Sequence, residues 1–317
     1  MKNILVVGSL NMDLVLQMEK IPSVGETVLG DGLRYSLGGK GANQAFAAGN
    51  LGGNVEMLGC VGEDSFGAKL VRNLASVGVD VGHIGRSASP GTGTAVICVE
   101  KSGDNSIVVV PGANKTCDEE YLRSNDAAFQ KCDYILLQME IPRDAVEYAV
   151  NRGKELSKTI ILNPAPAPAA LPQDILSKVD YIIPNETELS RLSGCRSDSE
   201  NEMEAAARKL IAAGAHAVIV TLGHKGSVLV QKDTLERFPP IQVEAVDTTA
   251  AGDCFCAAFA VALADGKTPA QAISFANVAA GLAVTRPGAQ DSIPTQAEVE
   301  ERRVSERGRK EAVRAEG

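Results

Sequence analysis

Short apolar runs recur along the chain at 4–7, 55–60, 134–137, 159–162, 181–183 and 217–220, separated by stretches in which apolar residues return at helical spacing. Continuous apolar runs alternating with helices predict an α/β fold: a mostly parallel central sheet flanked by helices on both faces. Two regions break the alternation. Residues 14–36 and 94–110 carry strand-like patterning with Gly and Pro turns and no long helix. They predict a small β-sheet inserted beside the main one, which serves as a lid, pairs with another subunit, or is a plain edge hairpin. Toward the C-terminus, the alanine-rich segments 252–264 and 270–284 read as two packed helices, the second opened by Thr268 and Pro269. From Glu301 to Lys310 nearly every residue is charged, so one domain is expected over about 1–300, followed by a charged tail at 301–317 that is a solvated helix end or disordered.

Composition narrows the class. The 317 residues are 44% hydrophobic and 22% charged, enough to build a real core in a soluble protein. With 31 Lys+Arg against 40 Asp+Glu the net charge is -9, which disfavours nucleic acid or an anionic membrane as partner. The chain has no Trp and few other aromatic residues, so stacking platforms for single strands are missing and a small ligand fits better. The first apolar run is too short for a signal peptide and no run has membrane length. Seven scattered cysteines without a C-x-x-C pair suggest a reducing cytoplasm, and the three histidines lack metal-ligand spacing.

Polar residues gather just after the apolar runs, where open α/β sheets bind ligands. Asn11 and Asp13 share one face of an extended segment, either clamping vicinal hydroxyls or opening an Asx turn. Glu140 follows a buried run, and its charge needs a partner there. The run Gly38-Gly39-Lys40-Gly41-Ala42-Asn43-Gln44 opens a helix. Its glycines would admit a ligand to the backbone, with Lys40 and Asn43 binding it, or else form a cap with an incidental lysine. It is not a Walker A loop, since Gly41 stands where Ser or Thr would hold magnesium, and Gly8 begins no dinucleotide fingerprint. Asn185 and Glu188, i and i+3 at a helix start, would bind magnesium through water or simply favour the helix dipole. Thr221-Leu222-Gly223-His224-Lys225-Gly226 offers a strand end at which a nucleotide can lie close to the backbone. The most informative stretch runs from Val246 to Phe255, where small residues lead through Ala250, Ala251 and Gly252 to Asp253 at the start of a helix. Free N–H groups there attract an anion. Asp253 beside them is either an ordinary cap or a base that takes a proton from an attacking hydroxyl.

Taken together, Gly38 to Asn43 and Asp247 to Asp253 resemble the two signatures of the ribokinase-like (PfkB) carbohydrate kinases, in matching order and spacing. Gly8 to Asp13, Asn163-Pro164-Ala165-Pro166, Pro184 to Glu188 and Val284 to Gln290 extend the resemblance from about Asn3 to Pro294. It implies ATP-dependent phosphorylation of D-ribose at its 5-hydroxyl, with Asp253 as general base and the backbone of Ala250, Ala251, Gly252 and Asp253 as anion hole. Deoxyribose, another small sugar or a nucleoside is the alternative acceptor, and a sugar sensor that has lost catalysis the more distant one. By the same resemblance Asn11, Asp13, Gly39, Lys40, Asn43, Glu140 and Asp253 face the sugar. Asn185, Thr221, Leu222, Gly223, His224, Lys225, Gly226, Gly252 and Asn277 face ATP. Glu188 serves magnesium, and Asp247, Thr249, Ala283, Arg286, Gly288 and Ser292 form a potassium loop. A homodimer through the lid sheets is also implied. The chain departs from the pattern at Cys254, Cys256-Ala257 and Asp291, the last within the cation loop, and Met12 between two sugar-facing residues would favour a less hydroxylated pentose.

Overall fold

The computed structural model describes residues 1–315, with side chains described as far as Glu306. Its strands, in chain order, are β1 (Asn3–Val7), β2 (Asn11–Met18), β3 (Gly30–Gly38), β4 (Asn54–Gly62), β5 (Ile84–Ser87), β6 (Gly93–Glu100), β7 (Asn105–Val110), β8 (Tyr134–Leu137), β9 (Thr159–Leu162), β10 (Tyr181–Ile182), β11 (Val218–Thr221), β12 (Ser227–Val230) and β13 (Leu235–Phe238). Nine of them form one sheet in the order β13-β12-β11-β10-β9-β8-β1-β4-β5. From β11 to β5 all neighbours are parallel, while β12 and β13 add an antiparallel edge. The six apolar runs became β1, β4, β8, β9, β10 and β11, as expected. β5, β12 and β13 were not among them: β5 and β13 are short, half-solvated edge strands that give a weak signal, and β12, though buried, is only four residues long.

The order of strands fixes the ligand crevice. The chain begins at β1, steps to β4 and β5 on one side, and then returns to lay down β8, β9, β10 and β11 on the other. β1 and β8 are therefore the switch point, where two neighbouring strands send their following loops apart and leave a cleft beyond their carboxyl ends. The segments after these two strands carry Asn11, Asp13 and Glu140.

A separate four-stranded sheet, ordered β3-β2-β6-β7, accounts for the two irregular regions. β2 pairs antiparallel with β3 and parallel with β6, so residues far apart in sequence make one blade that starts at the switch point. Its outer strands expose Leu33, Tyr35, Val108 and Val110.

Apolar layers cover both faces of the main sheet. The helix Ala251–Ala264 is buried on all sides from Asp253 to Ala264, which its alanine content permits, and it packs against the helices Lys40–Asn50 and Pro269–Ala283. Thr268 caps the latter through a reciprocal capping box with Gln271. Gln296–Ala315 is a single helix, so the boundary expected at 300 falls inside it, and the last two residues of the expected tail lie outside the described residues. The helix is docked rather than free at its start: Val299 is buried and the Arg303 guanidinium lies over the Phe275 ring. Among the described residues no helix is long and apolar enough to cross a membrane.

Candidate active site

The floor of the cleft is built where two backbones touch. Gly39 caps the helix Lys40–Asn50 at φ 88°, and a Cβ there would sit 2.6 Å from the Asn11 nitrogen. Gly41 meets the backbone of Gly8 and Ser9 just as closely. These glycines thus seat the helix against the β1–β2 turn.

Glu140 finds the partners its charge requires. Its Oε2 accepts hydrogen bonds from Ser9 Oγ (2.5 Å) and the Lys40 backbone N–H (3.0 Å). Asn11 opens β2 rather than an Asx turn, and Asn114 Nδ2 donates to Asn11 Oδ1 at 2.7 Å, so the Asn11 amide must offer its own donors elsewhere. Burial, and secondarily the Glu140 carboxylate, push Asp13 up to about 7. Met12 alternates with Asn11 and Asp13 along the strand and is buried.

Asp253 is not a helix cap. The cap of the helix Ala251–Ala264 is Ala250, at φ 58° and without a side-chain hydrogen bond, a backbone state that costs an alanine roughly 1–2 kcal/mol. Asp253 lies in the first turn, only 5% exposed, and its carboxylate is held from outside its helix. Asn43 Nδ2 donates to Oδ2 and Gln44 Nε2 to Oδ1, each at 3.0 Å. Gln44 also donates to Asn163 Oδ1 (3.2 Å) and accepts from Gln138 Nε2 (2.6 Å), so its amide has a single workable orientation. Lys40 stands among three acids: Asp253 first, then Glu140 and Glu188 raise the affinity of its amine for the proton, against the opposing effect of burial.

The first-turn N–H groups of Gly252 and Asp253 have no preceding turn to satisfy them, and a Cβ on Gly252 would meet nothing within 4 Å. An anion can therefore approach this end directly. Ala251 differs from its neighbours, since its N–H donates to Thr248 O at 3.2 Å. That donor is spent inside the turn.

The second half of the cleft is less concentrated. Asn185 and Thr221 are bridged as parallel neighbours, which places the helix Glu186–Ser193 beside the Thr221–Gly226 loop. Asn185 and Glu188 form a reciprocal capping box, Asn185 Oδ1 accepting from the Glu188 N–H (2.8 Å) and Glu188 Oε2 from the Asn185 N–H (2.9 Å). Burial raises the Glu188 carboxyl above its ordinary range, and Asp253 adds to this against Lys40. Gly223, His224 and Lys225 are exposed at the rim. The Asn277 amide is turned inward, accepting from Ser227 Oγ (3.1 Å) and donating to the Phe238 and Pro239 carbonyls (3.2 and 3.3 Å), so it shapes the wall instead of presenting a free donor.

Asp247 ties the 283–292 loop to the turn before the helix. Its Oδ1 accepts from the Thr249 N–H (2.9 Å) and hydroxyl (2.6 Å), and its Oδ2 from the Gly288 N–H (2.9 Å). Burial disfavours its charge, but these hydrogen bonds and the Arg34 charge outweigh it and hold the carboxyl below the usual aspartate range. The Arg286 side chain pairs with Glu298 and leaves the loop. Sequence reasoning gave no role to Gln44, Asn114, Gln138, Asn163 or Gln290, although most stood within or next to the motifs. Isolated amides carry no spacing signal, and only their burial beside charged groups singles them out.

Comparison with known proteins identifies the family. Residues 1–296 match the pfkB family carbohydrate kinases. The chain is 43% identical over 301 residues to a ribokinase of Bacillus subtilis, covering 95% of this chain and 99% of that one. It is 40% identical over 297 residues to a ribokinase of Haemophilus influenzae, covering 94% and 97%. The structure of an Arabidopsis thaliana ribokinase complexed with ribose and ATP superposes with a TM-score of 0.90 at 33% identity, covering 95% of this chain and 98% of that one. With its two signature motifs meeting at Asp253 and its whole domain matched, the chain belongs to the pfkB family of carbohydrate kinases.

Proposed function

We propose that the protein transfers the terminal phosphoryl group of ATP to the 5-hydroxyl of D-ribose, giving ribose 5-phosphate and ADP. The observation that carries this reading is Asp253, a buried carboxylate fixed by Asn43 and Gln44 beside an open, anion-attracting helix end. The ribose and ATP bound by the Arabidopsis relative, and the ribokinase relatives, supply the identity of the substrates.

The chemistry follows from the geometry. Asn11, Asp13 and Glu140 grip the sugar hydroxyls, an amide donor beside two carboxylate acceptors. Asp253 takes the proton of the attacking hydroxyl as its oxygen bonds to phosphorus and the bond to the ADP oxygen breaks. The Gly252 and Asp253 N–H groups and the Lys40 ammonium stabilise the charge on the moving phosphoryl group. ATP lies along the Asn185 and Thr221–Gly226 wall. Among the described residues no group of three or more His, Cys, Asp and Glu could hold a metal. Magnesium would accordingly be carried by the phosphates and water, with Glu188 as its acidic neighbour, and would neutralise phosphate charge. The carboxylate of Asp247 with the oxygen-rich loops 247–249 and 283–292 suits a monovalent cation such as potassium, which would hold the anion-hole turn in place.

All seven cysteines are free, which fits a reducing cytoplasm. The exposed apolar side chains of β3 and β7 fit a second copy of the lid, and a dimer mass in light scattering that Val108→Asp reduces to the monomer mass is expected. A monomeric parent protein would remove the dimer.

The activity is tested by ADP release with ribose, 2-deoxyribose, fructose, 2-keto-3-deoxygluconate and adenosine. Ribose should give the highest kcat/KM. A clear preference for another acceptor would overturn ribose as substrate and keep the kinase.

A further inference from the structure

Asp253 is reached by a directional chain of amides that starts far from the cleft. Asn73, on the helix Ser65–Ser76, donates through Nδ2 to Gln290 Oε1 (2.6 Å). Gln290 Nε2 donates to Asn43 Oδ1 (3.2 Å), and Asn43 Nδ2 to Asp253 Oδ2 (3.0 Å). Gln290 and Asn43 each accept with the oxygen and donate with the nitrogen, so the orientation of one amide is tied to that of the other. Gln290 is 3% exposed and Asn43 7%, so water has little chance to replace a lost partner.

We propose that Gln290 is a positioning residue for the phosphoryl transfer: it turns the Asn43 amide so that an N–H, and not the oxygen, faces the Asp253 carboxylate. The proposal rests on Asp253 being the general base. Gln290 opens the short helical turn Gln290–Ser292, two residues after Gly288, whose N–H is held by Asp247. One loop thus reaches the reacting centre twice. Its backbone steadies the anion-hole turn through Asp247 and Thr249, and its side chain orients the base through Asn43. Any shift of the loop moves both together.

An isosteric change isolates this role. In Gln290→Glu the shape is kept but the donor is gone, and the new carboxylate draws the Asn43 N–H group toward itself. Asn43 Oδ1 then faces Asp253 Oδ2. Two acceptors in contact repel unless one gains a proton, so the acid form of Asp253 is favoured. The other charged or titratable groups facing Asp253 are Lys40 from the glycine-capped helix, Glu188 from the helix Glu186–Ser193, and the Cys254 and Cys256 thiols of its own helix. None of them changes in the variant. Because Gln290→Glu also adds a negative charge, Gln290→Met serves as the uncharged counterpart, removing the donor to Asn43 together with the acceptor for Asn73.

The test measures kcat and kcat/KM for the sugar across pH, KM for ATP, and thermal unfolding, for the parent, Gln290→Glu, Gln290→Met and Asp253→Asn. For Gln290→Glu, kcat should fall roughly 10- to 100-fold, as for a misplaced catalytic group. Its acid limb should move up by about one pH unit, the worth of a hydrogen bond to a charged group, with KM for ATP unchanged. Gln290→Met should show a smaller loss in the same direction, and it carries the test should Gln290→Glu not fold. Profiles that superimpose on the parent's after scaling, with only the unfolding temperature lowered, would reduce Gln290 to a structural part and overturn the proposal. The Asp253→Asn arm separates the two levels. Near-normal turnover there removes the base and the proposal with it, whereas an inactive Asp253→Asn beside unshifted Gln290 variants overturns the positioning role alone.

Discussion

Asn43 donates a hydrogen bond to Asp253 at 3.0 Å across 210 residues of sequence, joining the glycine-rich motif to the N-terminal end of the helix Ala251–Ala264. Two donors, Asn43 and Gln44, hold this carboxylate, so it has a fixed direction before any substrate arrives. Replacing it by the isosteric amide keeps the shape, removes the base and leaves only one oxygen acceptor for the two donors. Asp253→Asn is therefore expected to lower kcat by roughly 100- to 10,000-fold, the usual span for a general base, with KM for ATP little changed. Steady-state kinetics decide it, and turnover within a few-fold of the parent would place the base elsewhere.

Gly252 separates folding from function. A Cβ at this position meets no protein atom within 4 Å, so alanine or valine fits the fold. Gly252→Ala should even stabilise the helix, by up to about 1 kcal/mol. In the proposed reaction the added carbon projects into the space of the phosphoryl group. Loss of kcat should grow from Ala to Val, reaching roughly 100-fold or more as the anion hole is obstructed, while the unfolding temperature holds or rises. A Gly252→Val enzyme that keeps full turnover would move the phosphate away from this helix end.

Much of this architecture could be read from the chain. Each buried parallel strand announced itself as an apolar run, because strands covered on both faces need side chains that are apolar throughout. The glycine motif and the small residues before Asp253 were also visible, since close backbone approach leaves little choice of residue. What could not be read was orientation. Gln44, Gln138, Asn163 and Gln290 come from four separate segments, and only the folded chain joins them: Gln44 bonds to Asp253, Gln138 and Asn163 bond to Gln44, and Gln290 bonds to Asn43. Asn277 illustrates the reverse: the resemblance implies a ligand contact there, while its amide is engaged by Ser227 and two carbonyls.

Under the proposed function, Asp13 links sugar binding to pH. Burial and Glu140 push its carboxyl up to about 7, and the ionised form is the better acceptor for sugar hydroxyls. KM for the sugar should accordingly rise by up to about tenfold per pH unit below 7, with kcat at saturating sugar less affected. In Asp13→Asn this slope should disappear. Stability should run the other way. A carboxyl whose folded value lies above its unfolded one contributes stability that is present at low pH and lost as pH rises through the folded value. The unfolding temperature of Asp13→Asn relative to the parent should therefore increase between pH 4 and pH 8. A sugar KM that is flat across this range would detach Asp13 from binding.

Asp247 holds three groups with one carboxylate, bridging Thr249, in the turn that leads to Ala250 and Gly252, to Gly288 in the neighbouring loop. An asparagine keeps one oxygen acceptor and must release either the Thr249 pair or the Gly288 N–H, so the two loops should drift apart. The anion hole is then less well formed before substrate binds. Asp247→Asn should lose roughly 10-fold or more in kcat, a cost of misplaced donors rather than missing ones. Because the folded value of Asp247 lies below its unfolded value, its contribution to stability is present above the ordinary aspartate range and lost as pH falls through the folded value. The parent should consequently lose more stability than Asp247→Asn on acidification below about pH 4. If the same loops carry a monovalent cation, the parent should be faster in potassium than in sodium or caesium, and Asp247→Asn should respond weakly to all three. Equal rates in the three salts for the parent would leave Asp247 as a purely mechanical brace between the loops.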